Sequence, residues 1–81
     1  MAPLKIAKRL CSKAYQNRGE TIHITPDLKC YVIYNRSRYA VYNLGTASSN
    51  MYRSYAAACY AVCDILEYYK PEVQFMASIF K

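Results

Sequence analysis

The chain has 81 residues and a mass of 9.4 kDa; chains of this length bury only about 60 to 65% of their unfolded surface and support one core, so a single domain over residues 1–81 is expected, with no room for a separate catalytic domain. A hydrophobic fraction of 54% with only 2 Gly and 3 Pro excludes the disordered and low-complexity classes, although 10 Tyr raise that fraction. Eleven Lys plus Arg against five Asp plus Glu give a net charge of +6 and a pI near 9.3, which favours a phosphate backbone, anionic lipid or an acidic protein surface as partner.

The first segment places Leu4, Ala7, Leu10, Cys11, Ala14 and Tyr15 at helical spacing, with Lys5, Lys8, Arg9, Ser12, Lys13 and Gln16 on the other side. Pro3 suits a first helical turn and Gly19 a left-handed C-terminal cap, so a helix over residues 3–17 is expected. From Glu20 the period changes to two, with Ile22 and Ile24 alternating against Thr21, His23 and Thr25 before Pro26 and Asp27 mark a turn. Cys30 to Tyr34 and Tyr39 to Leu44 are β-branched and aromatic runs separated by Asn35, Arg36, Ser37 and Arg38, a hairpin with a four-residue loop. Both hairpin strands are apolar on both faces, so one face can lie on helices while the other displays tyrosines such as Tyr31, Tyr39 or Tyr42.

Gly45 to Asn50 have loop composition ending in good N-cap residues. A long helix follows with Met51, Tyr55, Ala58, Val62, Ile65 and Tyr69 on one stripe, thickened by Cys59 and Leu66. Pro71 ends it, and Val73, Phe75, Met76, Ile79 and Phe80 give a short apolar terminal helix that covers the core or meets a second copy. The fold class expected is therefore α+β: helix, three-stranded antiparallel sheet, long helix packed on the sheet, short C-terminal helix.

Charged residues interrupt every apolar run before the roughly 20 residues of a membrane span, and Lys5, Lys8 and Arg9 break the apolar core that a secretory leader needs. An intracellular, cytoplasmic location follows as an expectation, with Cys11, Cys30, Cys59 and Cys63 as reduced, buried thiols. Cys59 and Cys63 lie on adjoining helical turns, but no second ligand pair accompanies them, so no metal site is expected. His23 stands in a strand without a recognisable catalytic neighbour, and Asp64 and Glu67 read as solvated helix charges. With no phosphate-cradling glycine loop either, neither enzymatic activity nor a cofactor is expected.

Charge distribution is more telling than any motif. Residues 1–18 hold Lys5, Lys8, Arg9, Lys13 and Arg18 and no acid. A basic ladder of Lys5, Lys8, Arg9 and Lys13 on the first helix, with Arg36 and Arg38 on the hairpin loop and Tyr31 and Tyr39 on a strand face, is the candidate surface for nucleic acid or an acidic partner.

The order helix, three strands, helix, together with the Ser residues and Ala-rich helix of Gly45 to Leu66, is similar to that of double-stranded-RNA-binding domains. Those domains carry a lysine cluster at the start of the last helix, where this chain has Asn50, Met51, Tyr52, Arg53 and Ser54, so the resemblance is architectural and carries no phosphate-binding signature. The strand, strand, helix unit also resembles arm-binding modules of phage-type integrases. Two functions are expected from this reading. One is a non-enzymatic module that binds nucleic acid, or a nucleic-acid-handling complex, by occupancy. The other is a stoichiometric inhibitor of a host protein complex, in the manner of small phage or mobile-element anti-defence (anti-CRISPR-like) proteins, with Tyr and apolar anchors. Homo-oligomerisation through Phe75, Met76, Ile79 and Phe80 is a third expectation.

Overall fold

The computed structural model describes residues 2–68. Its elements are α1 (Pro3–Gln16), β1 (Ile22–His23), β2 (Cys30–Asn35), β3 (Arg38–Asn43), β4 (Ser48–Tyr52) and α2 (Tyr55–Tyr68). The sheet is antiparallel throughout, in the order β1-β2-β3-β4. The α+β class holds, but the order is helix, four strands, helix, and the three-stranded sheet expected from the sequence is corrected to four. The terminal helix expected after Pro71, and the oligomerisation expected through it, lie outside the described residues.

The extra strand is Ser48–Tyr52, which sequence pattern assigns to a loop and the start of the long helix. Ser and Asn are poor strand formers; pairing with β3 over five residues, from Tyr39↔Tyr52 to Asn43↔Ser48, overrides that preference. Helix α2 consequently starts at Tyr55, and its N-cap is Ser54, whose Oγ accepts a hydrogen bond from the Ala57 amide at 3.0 Å.

The β2–β3 connection is tighter than the expected four-residue loop. Asn35 and Arg38 pair as strand residues, leaving a two-residue turn of Arg36 (φ 52°) and Ser37 (φ 63°). Positive φ at both central residues is the type I′ geometry that matches strand twist, here without the Asn-Gly pair that usually marks it. At the other end of β2, Thr25 donates to the Asp27 carboxylate, which also accepts from the Lys29 amide, and these bonds hold that carboxyl below its ordinary pKa.

Alternation sends Ile22, Val32 and Val41 to one face of the sheet, where they join Ile6, Leu10, Val62 and Leu66 in a single buried cluster. Both helices pack on that face. The buried stripe of α1 is Ile6, Ala7, Leu10, Cys11 and Ala14, which corrects the expected place of Tyr15, 46% exposed. On α2 the stripe is Ala58, Cys59, Val62, Cys63 and Leu66, and Met51 is a β4 residue rather than a helical one. All four cysteines are buried free thiols.

Candidate binding face

Among the described residues, no helix lies on the other face of the sheet. Register brings His23, Tyr31, Tyr42 and Ser49 into one row across the four strands, and Ile33, Ala40 and Met51 into the next. Tyr31 and Tyr42 stack with ring centroids 4.7 Å apart and planes 16° from parallel, and His23 approaches Tyr31 edge-on at 6.1 Å. Each tyrosine ring thus covers one face of its neighbour. On its other side Tyr31 neighbours His23, whereas half-buried Tyr42 neighbours Ser49, a small residue with no ring to stack on it.

Beside Tyr42 lies a depression of about 360 Å³ lined by Ile33, Asn35, Arg36, Arg38, Ala40, Tyr42 and Met51. Its walls are apolar and one end is cationic. Met51, on this face, is 61% exposed. Arg36 reaches the depression from the strained turn, where a non-glycine residue in the left-handed region costs about 1–2 kcal/mol.

The structure divides the basic residues expected to share a surface. Lys5, Lys8, Arg9 and Lys13 are exposed on the side of α1 away from the core; the last three line a shallow groove with Ser12, Gln16 and Asn17. Arg36 and Arg38 belong to the sheet layer and border its open face. Of the two tyrosines expected at the site, Tyr31 is on that face and Tyr39 is not. Tyr39 is only 4% exposed, because its pairing with Tyr34 sets both rings on the helix side. Burial, with Cys11 and Tyr34 nearby, pushes its hydroxyl up to a pKa of about 12.

Sequence reasoning missed Ile33 and Met51 as parts of this face, and Tyr42 as the partner of Tyr31. The Tyr31↔Tyr42 register is the one in which Tyr34 and Tyr39 flank the connection, so alternation along each strand from that pair would have found it. Two further arginines lie towards the same end of the molecule. Arg18 sits 5.3 Å from the Tyr15 ring centroid and 5.8 Å from that of Tyr34, next to Gly19, whose amide donates to the Tyr34 carbonyl at 2.9 Å. Arg53 follows Tyr52, the partner of Tyr39, and so continues β4 towards the level of Arg38.

The thiols of Cys11 and Cys63 are poorly suited to nucleophilic chemistry. Burial first, then the neighbouring Cys59, raises the Cys11 thiol far above its ordinary value; burial first, then Glu67, raises that of Cys63. Among the described residues no three His, Cys, Asp or Glu side chains are grouped to hold a metal ion, and no helix is long and apolar enough to cross a membrane. Compared with known proteins, the chain matches no protein family, no curated protein and no solved structure.

Proposed function

We propose that this protein binds single-stranded nucleic acid on its open sheet face and acts by occupancy rather than catalysis. The observation that carries this reading is the stacked Tyr31–Tyr42 pair beside a cationic depression, on the sheet face opposite the two described helices. An unpaired base stacks on an aromatic ring with about 1–3 kcal/mol of stabilisation, regardless of its identity. The ring of Tyr42 offers that platform, and Arg36 and Arg38 supply planar cationic forks for phosphate oxygens. A rigid duplex keeps its bases stacked internally, so the tyrosine pair favours single strands.

The basic ladder on α1 plays a lesser part in this reading. The shortest Cα extent of the molecule is 19 Å, about twice the Debye length of roughly 8 Å at physiological ionic strength. Lysines across that thickness add to the approach of a polyanion at low salt and little to its seating.

Anisotropy titrations of labelled single- and double-stranded oligonucleotides at low and physiological salt test the proposal. Single strands are expected to bind at both salt concentrations, and Tyr42→Ala to weaken binding by about 1–3 kcal/mol. Equal loss of all binding at physiological salt would contradict it.

A second reading, a stoichiometric inhibitor of a protein complex, is favoured by one observation. Met51, exposed beside Tyr42 and Arg38, makes the same face a plausible anchor patch, because aromatic residues and arginine dominate binding energy at protein interfaces. Absence of nucleic-acid binding combined with a specific protein captured through this face, and lost on Met51→Asp, would establish that reading instead.

A further inference from the structure

We infer that the depression centred on Ala40 is a subsite for one nucleotide unit: the base lies against Ile33, Ala40 and Met51 beside Tyr42, and its phosphate is held by Arg36 and Arg38. This rests on the single-strand reading above and deepens it from a stacking surface to a defined pocket. Three observations lead to it.

The first is shape. In the row Ile33, Ala40, Met51 the central strand contributes the smallest side chain, so two long residues flank a notch. Tyr42 closes it along β3 on one side, two residues away, and Arg38 on the other, also two residues away. The second is size. About 360 Å³ lies at the lower end of the roughly 300–1,000 Å³ of small-ligand sites, which suits a single nucleotide rather than a longer segment.

The third is the division of chemistry within the notch. Ile33, Ala40 and Met51 are apolar, whereas Asn35, Arg36 and Arg38 gather at the hairpin end. A ligand that fills it needs a flat apolar body with an anion at one end, and a nucleoside monophosphate has that form. Asn35 brings an amide that both donates and accepts, which suits the edge of a base or a sugar hydroxyl. Arg36 lines this end from the type I′ turn, where its φ is positive. A plain basic patch would need neither the notch nor its position beside the tyrosine pair.

The test uses the full-length protein and a fluorescein-labelled ten-nucleotide single strand. Unlabelled nucleoside 5′-monophosphates compete with it, with nucleosides and inorganic phosphate as separate arms, and Ala40→Leu fills the notch from the face opposite the helices. The monophosphates are expected to displace the strand at concentrations at least tenfold below those of nucleoside or phosphate, and Ala40→Leu to lose that competition and at least tenfold in strand affinity. Amide chemical shifts on adding adenosine monophosphate to the unmodified protein give a readout that does not depend on the variant's folding; perturbations are expected at Ile33, Ala40 and Met51. If the strand binds but monophosphates neither compete nor shift these amides, the subsite is wrong and the single-strand reading stands. If no strand binds, the reading beneath it fails as well. Competition by phosphate as strong as by the monophosphates would also overturn the subsite, leaving only the arginines as an anion site.

Discussion

Arg36 and Ser37 hold backbone conformations that glycine or asparagine adopts with less strain, at the tip of the hairpin that the whole sheet depends on. Strain of this kind persists where surrounding structure enforces it, and it clusters at functional sites. The double replacement Arg36→Asn, Ser37→Gly should therefore raise the urea midpoint, by about 1 kcal/mol of stability, while weakening binding of a single strand. A variant that gains stability and keeps full affinity would remove the turn from the functional account. Ser54 presents the opposite case, a residue whose hydroxyl serves only the helix start. Ser54→Ala leaves the Ala57 amide without its partner and should lose about 1 kcal/mol in denaturant titration, with binding unchanged.

Titration at the residue scale also predicts a pH profile. Folding raises the pKa of the Cys11 and Cys63 thiols, chiefly by burial, so the native state holds protons that the unfolded chain releases near pH 8.5. Their contribution is complete below that pH and is lost as pH climbs towards the native values. Tyr39, with its native pKa of about 12, adds to the loss above the ordinary tyrosine value near 10. The melting temperature should fall between pH 8 and pH 10.5, and a flat profile across that range would contradict the buried-thiol assignment. Asp27 acts at the other end. Its depressed pKa, caused by the Thr25 hydroxyl and the Lys29 amide, stabilises the fold above about pH 4 and ceases to do so as pH drops through the native value.

At the scale of elements, α1 and the β2–β3 hairpin were legible because their signals are local. Pro3 and the Ala7, Leu10, Ala14 spacing define one; two aromatic, β-branched runs define the other. Strand β4 was not legible. Ser48, Ser49 and Asn50 carry the composition of a loop, and their conformation comes from hydrogen bonding to β3, which no local pattern encodes. That single miss moved Met51 from an open sheet face to an imagined helix core, whereas Tyr39 is set on the helix side by strand alternation, opposite Tyr42 three residues on. The candidate site was thus half visible: Tyr31, Tyr42, Arg36 and Arg38 stand out in sequence, while the Tyr31–Tyr42 pairing and the places of Ile33, Ala40 and Met51 emerge only with the register. The helix–sheet contact can be tested through Leu66, fully buried on α2. Leu66→Ala should destabilise the protein by about 2–5 kcal/mol, a large share of what so small a domain possesses. A loss well under 1 kcal/mol by denaturant titration would mean that α2 does not pack as described.

At the scale of the whole molecule, two basic regions lie on different layers, one on α1 and one beside the open sheet face. They should separate in their salt dependence. Each phosphate contact on a single strand contributes a slope of about −0.7 in log K against log salt. Removing the two contacts of Arg36 and Arg38 as Arg36→Gln, Arg38→Gln should flatten the slope by about 1.4. The paired change Lys8→Gln, Lys13→Gln should leave both the affinity at physiological salt and the slope near their original values.

The most direct test of the central claim is one anisotropy series: a labelled single-stranded oligonucleotide titrated at increasing salt against the unmodified protein, the Arg36→Gln, Arg38→Gln protein and the Lys8→Gln, Lys13→Gln protein. Binding is expected to survive physiological salt, to be lost with the sheet-face arginines and to persist without the helix lysines. Binding that disappears with the helix lysines and persists without Arg36 and Arg38 would contradict that claim, and would move the site to α1.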